Sequence, residues 1–200
     1  MLLNVVKNLF RQRSAPPGHA VRTASPPLRL HIGGKTRHPD WKIVDTVPGR
    51  HVDYVRSCKD LSIFPDASVA EIYASHVLEH LGYQAELAQA LSEFHRVLQP
   101  GGILRASVPD LTTLCSLFLD LASDARERFE VMRMMFGGQI DTFDFHQVGL
   151  DQDFLAGFLA SAGFTDIQRV THFGLFDDSS RLIFTGRAIS LNLVARKPGN

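Results

Sequence analysis

Gln84 to Asp110 read QAELAQALSEFHRVLQPGGILRASVPD, and this stretch decides the fold. Leu87, Leu91, Phe94 and Leu98 recur at three- and four-residue intervals, the spacing of one helix face. Pro100-Gly101-Gly102 then stops the helix, because proline lacks the N–H that the next turn needs and glycine accepts backbone angles closed to other residues. After that stop, Ile103 to Val108 reads as a strand. A helix feeding directly into such a strand is half of an α/β unit.

Working outward, the same alternation continues. Leu28–Ile32, Trp41–Val44, Val52–Val55 and Ala70–Ala74 read as short apolar strands upstream. Downstream, periodicity predicts one helix from Leu111 to about Met135 and another over 151–162, with Asp151 as N-cap and Gly163 as C-cap. Asp166–Thr171 and Ile189–Ala195 finish as strands. The pattern predicts a Rossmann-like, mostly parallel α/β sheet with helices on both faces.

In such a sheet ligands bind beyond the carboxyl ends of the strands. Those ends carry Gly33-Gly34, Asp45, Ser75-His76 and Pro109-Asp110. Glycines let backbone approach a ligand closely, and a carboxylate suits ribose hydroxyls. The ordered set His31-Ile-Gly-Gly-Lys35, Ile-Val-Asp45, Asp60-Leu61, Phe64-Pro-Asp-Ala-Ser68, Ala74-Ser-His-Val-Leu-Glu-His80 and Arg96-Val-Leu-Gln-Pro-Gly-Gly102 resembles class I S-adenosylmethionine-dependent methyltransferases, and more narrowly the small bacterial type 11 kind.

The resemblance implies a seven-stranded sheet with an antiparallel last strand. It implies that Gly33 and Gly34 meet the methionine part of the cofactor S-adenosyl-L-methionine, that Asp45 takes the ribose, and that Asp60 and Leu61 meet the adenine. Ser75 and His76 would border cofactor and substrate. One departure is expected: only Gly33 to Lys42 separate the first two strands, where a parallel crossover normally takes a dozen residues or more, so the intervening helix is expected to be truncated.

Phe136-Gly-Gly-Gln-Ile-Asp-Thr-Phe-Asp-Phe-His146, between two helices, has the composition of an active-site lid. Gln139, Asp144 and His146 are its candidate substrate contacts, with His146 the candidate general base because imidazole titrates near neutrality. His76-Val-Leu-Glu79-His80 also fits the H-x-x-E-H pattern of a zinc hydrolase, provided that 76–80 is helical, with a third ligand to come from Glu93, His95, Asp144 or His146. A non-catalytic cofactor-binding module of the same fold is the other alternative. The methyltransferase reading itself calls for no metal. Asp177-Asp178-Ser-Ser180 reads as a solvated hairpin tip.

The 200 residues hold 21 basic and 21 acidic side chains, so no overall field attracts nucleic acid, and no basic stripe or stacking platform points to it. The acceptor is expected to be a small molecule. Two cysteines make neither a disulfide framework nor a four-cysteine zinc site, and the expected location is cytoplasmic. Residues 1–39 hold seven basic residues and no acid, and Leu2 to Arg13 suit a weak interfacial helix, too short to span a membrane. A basic segment with a Pro-rich linker is expected over 1–27 and the methyltransferase domain over 28–200.

Overall fold

The computed structural model describes residues 26–120 and 122–199; the expected basic helix over 2–13 lies outside them. Among the described residues nine strands and four α-helices follow in chain order: β1 (Leu28–Ile32), β2 (Lys42–Asp45), β3 (Tyr54–Val55), β4 (Val69–Ser75), α1 (Glu86–Val97), β5 (Leu98–Pro109), α2 (Leu111–Phe118), α3 (Ala125–Phe136), α4 (Gln152–Ser161), β6 (Thr165–Val170), β7 (Ile183–Phe184), β8 (Arg187–Ala188) and β9 (Ser190–Arg196). Seven of the strands form one sheet in the order β3-β2-β1-β4-β5-β9-β6, and β7 and β8 form a small hairpin. Only β9 runs antiparallel to its neighbours in the large sheet, as the resemblance implied.

The chain reverses its direction of travel across the sheet between β1 and β4. That switch point opens a crevice at the carboxyl ends of β1, β2 and β4. The link from β1 to β2 contains no helix, as its length predicted.

One face of the sheet is an ordinary apolar core. Leu87, Leu91 and Phe94 of α1 and Leu155 and Leu159 of α4 pack with Ile32, Ile72, Leu104 and Leu193, all at most 3% exposed. Asp151 caps α4 by accepting the Phe154 N–H at 2.8 Å. The stretch between Val97 and Ile103 is not a plain turn: Leu98 is already extended, and β5 absorbs Pro100-Gly101-Gly102 through an irregularity in its register with β4.

The other face is different. Over β1 and β4 it carries His31, Trp41 and Tyr73, covered by Phe173 and Phe176 from the segment that joins β6 to β9. The Asp177–Ser180 turn belongs to this cover and is not a solvated tip. Asp178 accepts the Tyr73 hydroxyl at 2.8 Å, and Ser180 is buried. A buried phenol needs an acceptor, and this turn supplies it.

The single helix predicted from Leu111 to Met135 is two. Asp124 breaks it by forming a capping box with Glu127, accepting the Glu127 N–H at 2.8 Å while Glu127 accepts the Asp124 N–H at 3.1 Å. Helices α2 and α3 then pack on each other through Leu114, Leu117 and Val131, against Ile189.

Candidate active site

The crevice is a cleft of about 570 Å³, within the range of small-molecule sites. Gly33, Asp45 and His76 line it from the ends of three strands. Gly33 has φ 70°, and its N–H donates to the Val44 carbonyl at 2.8 Å. A Cβ here would lie 2.7 Å from Val77 Cγ2, so the position requires glycine for both conformation and space.

Asp45 is buried at the end of β2. Its Oδ1 accepts the Val47 N–H and its Oδ2 accepts Lys35 Nζ, both at 2.9 Å. Each carboxylate oxygen keeps a second lone pair, and the Lys35 side chain is 77% exposed, so it is free to swing aside. The acid therefore fits a ribose diol. Lys59 and Glu86 line the opposite wall as an ion pair.

His76 follows β4 with φ 52°, a strained angle for a non-glycine residue, held by its N–H donating to the Ser107 carbonyl at 2.8 Å. The Ser190 hydroxyl donates its one proton to the Ser179 carbonyl at 2.7 Å, so at 2.9 Å from His76 it accepts from Nε2–H. This fixes the tautomer and leaves Nδ1 bare. Burial pushes the imidazole down to about 4, so it is neutral at pH 7.

Next along the chain is Glu79, 1% exposed. Its Oε1 lies 3.3 Å from His76 Nδ1 without hydrogen-bond alignment, and neither carboxyl oxygen has a hydrogen-bond partner among the described residues. Burial raises its pKa to about 8. Only Leu78–His80 forms a helical turn here, of the tight 3₁₀ kind, so His76 and His80 do not share one α-helical face as the hydrolase pattern requires. Instead Glu79, His80 and His146 come together, with one potential ligand atom from each within 4.8 Å of the others.

Of the other residues singled out from sequence, Gly34 packs against the His31 ring rather than lining the cleft. Ser75 sits opposite Ser107 in the β4–β5 register, and neither it, Asp60 nor Leu61 lines the cleft. Leu61 is fully buried in the core, and Asp60 borders a separate groove beside Arg96. The wall expected from Asp60 and Leu61 is made by Ser57, Cys58 and Lys59, just before them in the chain. Cys58 is buried and its thiol is pushed up to about 11, which makes it unreactive packing.

Residues 140–145, from the segment with a lid's composition, line the cleft. Within the lid Asp144 serves the backbone, accepting the Gln139 N–H through its carbonyl at 3.0 Å and the Ile140 N–H through its carboxylate. Exposed Gln139 donates to the Phe136 carbonyl at 3.4 Å. His146 is partly buried and stands edge-on to His80 with ring centroids 4.8 Å apart. Burial, then the neighbouring His80, lowers its pKa. Glu93 and His95, the other nominated metal ligands, lie elsewhere: Glu93 pairs with Arg96, and His95 packs on Phe164.

Sequence and fold comparisons place the chain beside known proteins. Residues 42–106 match a family model described as a methyltransferase domain. By structure the chain is similar to a possible exported protein from Bordetella parapertussis, with a TM-score of 0.53, 15% identity, and coverage of 87% of this chain and 63% of that one. It is similar to the CurJ carbon methyltransferase, with a TM-score of 0.52, 17% identity, and coverage of 90% and 50%. It is also similar to the 1,6-didemethyltoxoflavin-N1-methyltransferase of Burkholderia thailandensis, solved with 1,6-didemethyltoxoflavin and S-adenosylhomocysteine, with a TM-score of 0.52, 20% identity, and coverage of 86% and 72%. The chain thus spans 63% and 50% of the length of the first two of these proteins. No curated protein matches it.

The architecture is the Rossmann-like fold that these methyltransferase structures share. The family match spans 42–106, about a third of the chain.

Proposed function

We propose that this chain binds S-adenosylmethionine in the cleft and transfers its methyl group to a small acceptor held beneath the 136–147 lid. The observation that carries the reading is the convergence of Gly33, Asp45 and His76 at the switch point of the sheet. Gly33 offers close backbone approach to the methionine portion, and Asp45 accepts from the ribose hydroxyls. Ser57 to Lys59 form the wall available to the base.

The cofactor supplies a methyl group already activated on a sulfonium, so the protein's task is orientation and exclusion of water. His76, fixed by Ser190, presents one defined edge to the cleft. The acceptor's proton, where it has one to lose, passes to His146, which its environment keeps neutral. Asp144 holds the lid in shape. Two free cysteines suit a reducing, cytoplasmic setting, and among the described residues no helix is long and apolar enough to cross a membrane.

The test is thermal unfolding and calorimetric titration of the protein with S-adenosylhomocysteine. Saturation at 100 times Kd adds about 2.7 kcal/mol, or a rise in Tm of roughly 5 to 10 °C. Absence of both heat and shift defeats the cofactor assignment.

A further inference from the structure

Glu79 has no task in the fold that its side chain performs. Its carbonyl ties down the lid by accepting the Gln147 N–H at 2.8 Å and the Val148 N–H at 3.3 Å, but any residue supplies a carbonyl. The carboxyl group is buried with both oxygens unpartnered among the described residues. Burying such a group is costly unless something is bound by it.

What surrounds it is a donor set. One potential ligand atom each from Glu79, His80 and His146 lies within 4.8 Å of the others. Ligands of a tetrahedral ion at about 2.1 Å sit roughly 3.4 Å apart, so modest side-chain rotation closes the group on one ion. The outer contacts of a metal site are present as well. His80 Nδ1 lies 3.1 Å from the Phe145 carbonyl, which leaves Nε2 free to ligate. His76 stands 3.3 Å behind Glu79 Oε1.

We infer that Glu79, His80 and His146 form a binding site for one divalent ion of the zinc class, with its open coordination position facing the cleft that His80 lines. Two imidazoles and a carboxylate are the donors that zinc and its neighbours prefer over magnesium or calcium. The sequence pattern placed zinc on His76 and His80; the fold moves it to Glu79, His80 and His146, with His76 as a positioning residue. Three protein ligands leave a fourth position, as in catalytic rather than structural zinc sites. Resting on the methyl-transfer reading, this makes the fitting acceptor a hydroxyl, thiol or amine that ligates the ion and sheds its proton more readily when bound; with the ion in place His146 is a ligand, and the proton passes to solvent instead of to it.

The experiment uses the full chain stripped with EDTA and dialysed against Co²⁺ or Zn²⁺, with metal counted by mass spectrometry and cobalt coordination read from its visible absorption. One equivalent is expected, with the intense absorption of four-coordinate cobalt. H80A, H146A and E79Q should each bind at least 100-fold more weakly, while H51A/H172A, distant from the cluster, retains the full equivalent. Because Gln is isosteric with a protonated Glu79, E79Q in EDTA keeps the parent's unfolding midpoint, which separates metal loss from misfolding. No stoichiometric metal in the parent, or a full equivalent retained by H80A/H146A, overturns the site. S-adenosylhomocysteine binding is measured on the same samples. Nucleoside binding without metal sinks this inference alone, and metal without nucleoside binding sinks the cofactor assignment alone.

Discussion

The rings of His31 and Phe176 stack with centroids 4.2 Å apart and planes tilted by 35°, joining the first strand of the sheet to a segment near the end of the chain. Burial there lowers the His31 pKa to about 4; Asp178 opposes that shift, and His38 and Lys35 add to it. Because the folded value lies below the unfolded value of 6.5, the unfolded chain takes up this proton first as pH falls. The stability contributed is complete above pH 6.5 and disappears as pH falls through 4, and is worth up to about 3 kcal/mol. H31F should therefore lose less stability between pH 7 and pH 4 than the parent, as read by urea unfolding at both. Identical slopes in the two proteins exclude His31 as the group responsible.

Asp45→Ala should weaken S-adenosylhomocysteine by roughly 1 to 3 kcal/mol, the range for leaving a hydrogen-bonding group without its partner at a partly buried site. Lys35→Ala should change affinity by less than about 1 kcal/mol, because that lysine is an exposed partner in an ion pair. Calorimetry on the two variants gives the comparison, and equal effects contradict the assignment of Asp45 to the ribose.

Gly33→Ala should lower stability by about 1 to 3 kcal/mol, combining left-handed backbone strain with the clash at Val77. The double variant G33A/V77A removes the clash and leaves the strain, so thermal unfolding should recover only part of the loss. Complete recovery means that backbone conformation at Gly33 costs nothing.

Tyr73→Phe deletes a hydroxyl that bonds to Asp178 at 2.8 Å and Ser180 at 3.2 Å. The expected cost is roughly 1 to 3 kcal/mol, with faster amide exchange concentrated at Ser179–Leu182. Exchange that quickens evenly over the whole sheet instead contradicts a local anchor.

Arg96→Lys tests the most family-like stretch of the sequence. The guanidinium grips both oxygens of Glu93 at 2.8 and 2.9 Å, Asp66 at 2.7 Å, and the carbonyls of Phe64 and Leu61 at 3.0 and 3.1 Å. An ammonium cannot reproduce that fork, and a loss of about 2 kcal/mol in denaturant unfolding is expected with S-adenosylhomocysteine affinity unchanged. A change in affinity alone implies that the motif acts in the cleft and not in the scaffold.

What the sequence made legible was whatever depends on neighbours in the chain. Apolar runs located the strands, and their ends located Gly33, Asp45 and His76, because strand direction fixes which end faces a ligand. The break before α3 was also written locally, in Asp124 and Glu127, but the uninterrupted apolar period across it outweighed a two-residue signal. Pairings between distant parts of the chain left no local trace. Tyr73 and Asp178 are 105 positions apart, and neither spacing nor composition pairs them. His80 and His146 meet because the lid folds back on the turn after β4, a juxtaposition that the pattern His76-x-x-Glu79-His80 does not contain.

The aromatic cover over His31, Trp41 and Tyr73 has a consequence for biogenesis. A chain that emerges from the ribosome at about 5 to 20 residues per second has β1 to β5 available well before Phe173 and Phe176 exist. During those seconds the nascent sheet shows solvent an apolar, ring-lined surface, and β9 is not yet present to occupy the edge of β5. The segment from Phe173 to Arg196, translated after the strands it covers, is thus what buries this surface and protects that edge. Loss of that segment threatens solubility before it threatens chemistry, since every cleft-lining residue lies at or before Gln147.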